Sequence, residues 1–131
     1  MKGFHLIELL ITIGIIAILA ATSIPTYSQY LMYEKRLEAA STLAKLAVKM
    51  EHYHIEHNTY EGATLQALQM PEYIAKDNYK LVIQSATSNA YELSAKPLGR
   101  QAEKDRVCGI LTLNSLGKKT ISGSGNLNEC W

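Results

Sequence analysis

The chain has 131 residues, a formal net charge of +1 and 47% hydrophobic residues, which is room for one modest domain besides a membrane anchor. Charge is unevenly spread: Glu34 to Ala75 holds four basic and six acidic residues, Lys76 to Trp131 eight basic and five acidic, a lean rather than the signature of a polyanion binder. With two cysteines and no CxxC, thioredoxin-like and zinc-ribbon chemistry have nothing to rest on.

The chain opens on an apolar run. Phe4-His5-Leu6-Ile7-Glu8 leads into Leu9 to Ala21, and no charged residue stands between Leu9 and Tyr33. As a helix such a run reaches across most of a bilayer. Glu8 is its informative residue, because a carboxylate inside a membrane segment costs about 2.5 to 3.5 kcal/mol on insertion scales and so requires a partner or a function. A secretory signal is the plain alternative, but it would carry a longer basic leader than Met1-Lys2 and no Glu where its apolar core begins.

The short leader, Gly3 before Phe4, Glu8 as the fifth residue after that glycine, the apolar helix, then Pro25 and Tyr27 resemble the class III leader and N-terminus of a type IV prepilin. The resemblance implies that residues 1–3 are a leader cut by a prepilin peptidase between Gly3 and Phe4, that Phe4 becomes N-methylated, and that Glu8 is the assembly carboxylate. It also implies that residues 4–26 are kept as a transmembrane and assembly helix. The physics is coherent, since a Glu8 poorly satisfied in lipid would find an opposite charge in the α-amino group of Phe4 on an adjacent subunit.

Pro25 removes a helical hydrogen bond and kinks the axis, and with Gly14 it brackets the weakest part of this helix. Residues 27–57 contain neither Pro nor Gly, and Leu43, Leu46, Ala47, Met50 and Tyr53 recur at three-to-four-residue spacing, which predicts an amphipathic continuation. Asn58 to Gly62 ends it with turn formers, and Ala63 to Tyr73 reads as irregular. The period then changes to two: Tyr79–Gln84, Tyr91–Lys96, Cys108–Leu113 and Lys118–Ile121 predict four antiparallel strands. Leu98 to Val107 reads as a polar connection and Ser122 to Asn126 as a flexible linker by composition, which a bridge from Cys130 to Cys108 would pin back onto the third strand. The expected fold class is α+β, a long helix followed by an antiparallel meander, with Tyr91, Leu93 and Ala95 turned toward the helical stripe.

Tyr91-Glu92-Leu93-Ser94-Ala95, then Pro97, Gln101 and Asp105, Cys108 to Asn114, Gly117, and Asn128-Glu129-Cys130-Trp131 are similar to the small PilE-type minor pilins, a group that includes the ComP DNA-uptake pilins. This implies the type IV pilin fold, with residues 58–131 forming a connecting loop, the sheet and a disulfide-closed C-terminal region. It implies a structural subunit that joins other major and minor pilins and helps to initiate or tip the fibre, serving adhesion to host or abiotic surfaces, twitching motility and DNA uptake. The route runs from the inner membrane, with the C-terminal domain in the periplasm, to the extracellular pilus. In that compartment Cys108 and Cys130 are expected to pair, a bridge worth about 3 kcal/mol in the chain-entropy model. A type II secretion pseudopilin shares the N-terminus and stands as an alternative, although the cysteine pair favours the pilin side.

A second alternative is a receptor pilin that binds DNA directly. Lys96, Arg100, Lys104, Arg106, Lys118 and Lys119 would then meet phosphates in a salt-dependent manner. Glu103 and Asp105 interrupt the run and no aromatic ladder interleaves it, so a solvated mixed-charge loop is the competing view. His52, His54 and His57 with Glu51 and Glu56 read as a polar helix end rather than a metal site, because the HExxH spacing is absent. Without GxSxG, a phosphate-cradling glycine loop or a free Cys/His pair, neither catalysis nor a cofactor is expected.

Overall fold

The computed structural model describes residues 3–131, so Met1 and Lys2 of the expected leader lie outside the described residues. Helix α1 (Leu6–His57) is followed by β1 (Tyr73–Ile74), β2 (Tyr79–Ala86), β3 (Tyr91–Pro97), α2 (Gly99–Lys104), β4 (Leu111–Asn114), β5 (Lys119–Ile121) and α3 (Leu127–Cys130). Two compact units divide the chain, Met1–Tyr33 and Glu34–Trp131.

In the first unit the helix is apolar on all sides and buries none of its side chains. Its hydroxyls are folded back onto the backbone: Thr12 Oγ1 donates to the Glu8 carbonyl at 2.7 Å, Ser23 Oγ to Leu19 at 2.7 Å and Thr26 Oγ1 to Thr22 at 3.0 Å. Such back-bonding hides polar groups that lipid would not satisfy. The helix runs through both Gly14 and Pro25.

The second unit builds its core between the later turns of α1 and a sheet of order β1-β2-β3-β4-β5, antiparallel throughout. Of the predicted stripe, Leu43, Leu46 and Met50 are fully buried, joined by Ala39 and Ala40, while Ala47 and Tyr53 sit partly buried at its margin. The strands answer with Leu81, Tyr91, Leu93, Ala95, Leu111 and Leu113, each buried. Every side chain of this kind removed from water contributes about 1.5 to 3 kcal/mol. Asn58, in the left-handed conformation at φ 57°, stops α1 with its N–H bonded to the His54 carbonyl at 2.7 Å, the asparagine form of a helix C-cap.

Several features differ from the sequence expectation. The sheet has five strands rather than four, because β1 is only two residues long and too short to display a period. β1 and β2 are joined through Ala75, Lys76 and Asp77, three consecutive non-glycine residues at φ 53° to 62°, held by the Asn78 side chain on the Ala75 and Lys76 carbonyls and by Glu38 on the Ala75 N–H. The expected polar connection from Leu98 contains α2, which buries Gln101. The strand expected from Cys108 begins at Leu111, since Cys108 and Ile110 bond to the tail instead.

That tail is not a loose linker. The Ser122 N–H donates to Ile110 at 3.0 Å, Gly123 to Cys108 at 3.0 Å and Gly125 to Val107 at 2.8 Å. A Cβ on Gly123 would collide with the Val107 carbonyl, so glycine is needed here for close approach rather than for flexibility. The Cys108–Cys130 disulfide, with Cα atoms 5.6 Å apart, closes the same region.

Candidate nucleic-acid interface

α2 is a short amphipathic turn with an unusual inner face. Gln101 lies on its buried side with the capping residue Asp105 buried next to it, Arg100 and Lys104 stand together at i and i+4, and Arg106 follows just beyond the helix. Pairing with β4 and β2 fixes β3 so that Leu93 and Ala95 face the core and Lys96 the opposite side. These placements converge on a cleft of about 500 Å³, lined by the apolar Pro97, Leu98, Ala102 and Ile110 and by the cations Lys96 and Arg106.

The other predicted cations are elsewhere. Lys119 pairs with Leu113 in the β4–β5 ladder, on the face opposite Lys96, and its ammonium lies 5.1 Å from the Trp131 ring centre. Trp131 is itself tied down by its indole N–H on the Thr120 carbonyl at 3.2 Å. Lys118 shares the exposed β4–β5 turn. The six basic residues therefore form two groups: Lys96, Arg100, Lys104 and Arg106 around α2 and the cleft, and Lys118 with Lys119 beside Trp131. Lys80, opposite Lys96 in the β2–β3 register, is engaged by Glu72 at 2.9 Å and lies 5.7 Å from the Tyr73 ring; the Glu72 hydrogen bond and charge raise its pKa.

Asp105 does not interrupt the basic surface as its place in the sequence suggests. Its carboxylate is buried, accepting from Arg36 of α1 at 2.7 Å, from the Gln101 amide at 3.2 Å and from the Tyr79 hydroxyl at 3.4 Å. Gln101 also donates to the Tyr79 hydroxyl at 3.1 Å. Burial pushes the Tyr79 hydroxyl up to about 12, with the Asp105 charge adding to the rise. Of the two acidic interruptions only Glu103 is exposed.

At the end of α1, Glu51 accepts from the Tyr60 hydroxyl at 3.0 Å, and burial together with Glu51 raises the pKa of both Tyr60 and Tyr91. The nearby histidines are spoken for: His54 packs on Tyr60, His57 stacks on Tyr53, and His52 lies 3.4 Å from Glu56. Among the described residues no three His, Cys, Asp or Glu side chains are arranged to hold a metal ion.

The family model described as type IV minor pilin ComP, DNA uptake sequence receptor, matches residues 25–112. The chain belongs to the ComP family of type IV minor pilins. Among its relatives is the type IV wide pilus major component PilA4 of Thermus thermophilus, 41% identical over 93 residues that cover 69% of either chain. The type IV major pilin PilE of Neisseria gonorrhoeae is 27% identical over 106 residues, covering 76% of this chain and 64% of its own. The crystal structure of the non-core minor pilin PilV of Neisseria meningitidis superposes with a TM-score of 0.52 at 21% identity, over 71% of this chain and 91% of that one; at that identity the likeness concerns the fold alone.

As a minor pilin the protein is one of a family of structural subunits that associate with other pilins, and its apolar N-terminal helix fits a membrane-anchored protein that assembles into a pilus. At that end the pilin helix caps itself. His5 precedes its first residue, and the His5 N–H donates to the Glu8 carboxylate at 3.1 Å, the returning half of a capping box. The tether from Arg36 to Asp105 was not legible beforehand. The only sequence signal was a polar pair, Gln101 and Asp105, spaced for one face of a helix.

Proposed function

We propose that this minor pilin is a DNA receptor displayed on the type IV pilus, and that phosphates are held by Lys96 and Arg106 at the cleft with Arg100 and Lys104 beside it. The observation that carries this reading is the convergence of Lys96 and Arg106, which come from different elements, on one cleft in a chain whose family description names a DNA uptake sequence receptor. Phosphate contacts supply affinity and register, and the apolar lining suits sugar and base edges. Lys118 and Lys119 form an outlying contact.

Salt-titrated binding of duplex DNA to the full-length protein in non-ionic detergent tests the proposal. Lys96→Ala with Arg106→Ala is expected to weaken binding at least about tenfold and to flatten the salt slope by about two, whereas Lys118→Ala with Lys119→Ala has the smaller effect. No binding at low salt would leave a minor pilin that serves only as a scaffold, helping to initiate or tip the fibre.

The same reading covers maturation. A prepilin peptidase cuts between Gly3 and Phe4 and N-methylates Phe4, which intact-mass measurement of the purified protein checks. Glu8 then exchanges its bond to its own helix terminus for the α-amino group of Phe4 on a neighbouring subunit, and the stretch between Gly14 and Pro25 yields as helices pack. The C-terminal domain is periplasmic until the subunit enters the fibre, where contact with host or abiotic surfaces becomes open to it.

A further inference from the structure

In sequence, Asp105 stands between Lys104 and Arg106, where its charge would weaken any attraction the two cations exert on a phosphate. In the fold its side chain is 6% exposed and meets the Arg36 guanidinium, itself 14% exposed, while Lys104 and Arg106 face solvent. Both carboxylate oxygens are used, Oδ1 by Arg36 and Oδ2 by Gln101 and Tyr79. The Asp105 backbone closes α2 through its N–H on Gln101 and receives the Gly109 N–H, both at 2.9 Å, so the same residue sets where Arg106 leaves the helix.

A buried ion pair is weak grounds for stability, because well-packed apolar residues of the same volume serve as well or better. What such residues would not supply is a directional tether that fixes α2 against α1 through hydrogen bonds to both carboxylate oxygens. We infer that the Arg36–Asp105 pair is a positioning clamp for DNA binding, an inference that rests on the receptor reading above. Neither residue touches DNA. They act through Lys104 and Arg106, by anchoring the α2 segment to α1 and by neutralising the one carboxylate set between those two cations.

Three variants of the full-length protein in detergent separate this role from a purely structural one: Arg36→Met, Asp105→Asn, and the two together. Each is measured for duplex DNA affinity across salt and for thermal unfolding. Arg36→Met uncovers a negative charge and is expected to weaken low-salt binding by about threefold or more, the effect of one added charge summed over several nearby phosphates. Asp105→Asn keeps the shape and an acceptor oxygen, adds a net positive charge, and is expected to tighten binding by a similar factor even though it unfolds at a lower temperature. The double variant has the wild-type charge but no tether, and is expected to bind about threefold more weakly than wild type; wild-type affinity in it overturns the anchoring role.

Binding that falls in step with melting temperature in all three variants, or that Asp105→Asn leaves unchanged, overturns the clamp. If Arg36→Met does not fold, the sign of the Asp105→Asn effect decides alone. Wild-type protein that fails to bind DNA at low salt overturns the receptor reading itself, a different outcome from wild-type binding that is indifferent to Asp105→Asn.

Discussion

The two parts of α1 share a backbone conformation and almost nothing else. Before Tyr33, Leu10, Ile16 and Ile18 are 58%, 59% and 68% exposed; after Glu34, Leu43, Leu46 and Met50 are each 0% exposed. The first stretch is apolar on every side and must find its apolar surroundings outside the chain, in lipid or in other subunits. The second carries a stripe, and its own sheet covers that stripe. Helicity therefore says little about what holds a segment. The distribution of apolar side chains around the axis says whether the partner is internal.

The sharpest break of this contrast lies at Glu8. Glu8→Val is expected to leave the protein poorly incorporated into sheared fibres while it still reaches the membrane and the C-terminal unit melts at the wild-type temperature; fractionation and thermal unfolding check both halves. Next in size, Leu46→Ala is expected to cost the C-terminal unit about 2 to 5 kcal/mol by denaturant titration, whereas Leu10→Ala leaves that transition unmoved. Cys108→Ser is expected to cost about 3 kcal/mol, and reductant should lower the melting temperature of the wild type but not of the variant.

The smallest effect concerns Tyr79. Tyr79→Phe gives up its hydrogen bonds to Asp105 and Gln101, about 1 kcal/mol at neutral pH. Burial raises the Tyr79 pKa from 10.0 to about 12 in the folded state, so its contribution is fully present below pH 10 and is lost as pH rises from 10 toward 12. Unfolding followed across that window should show a shallower alkaline loss in the Phe variant. Some loss persists there, because Tyr60 and Tyr91 are also raised.

The anchor, the helical stripe, the alternation of β3 and the cysteine pair were legible in the residues. The first three are local patterns repeated often enough to be recognised: an unbroken apolar run, Leu43, Leu46 and Met50 at helical spacing, Tyr91, Leu93 and Ala95 at every second position; the cysteines were legible from their number and the expected compartment. β1 escaped because two residues carry no period, and α2 because a short polar helix with Gln101 and Asp105 inside looks like surface. The glycines of the tail suggested slack, yet Gly123 and Gly125 are there so that the chain can lie against Val107 and Cys108.

The candidate site was legible as a set of residues but not as an arrangement. The residues already carried the resemblance to the family, the apolar helix and six cations near the C-terminus, because motifs and residue types are local. Grouping those cations into a cleft with Lys96 and Arg106, setting Lys119 apart against Trp131, and withdrawing Asp105 from the surface depended on strand register and on one contact between Arg36 and a residue 69 positions away. Long-range pairing of that kind leaves no periodic trace. It exists only once the core has closed and brought the two segments within reach of each other.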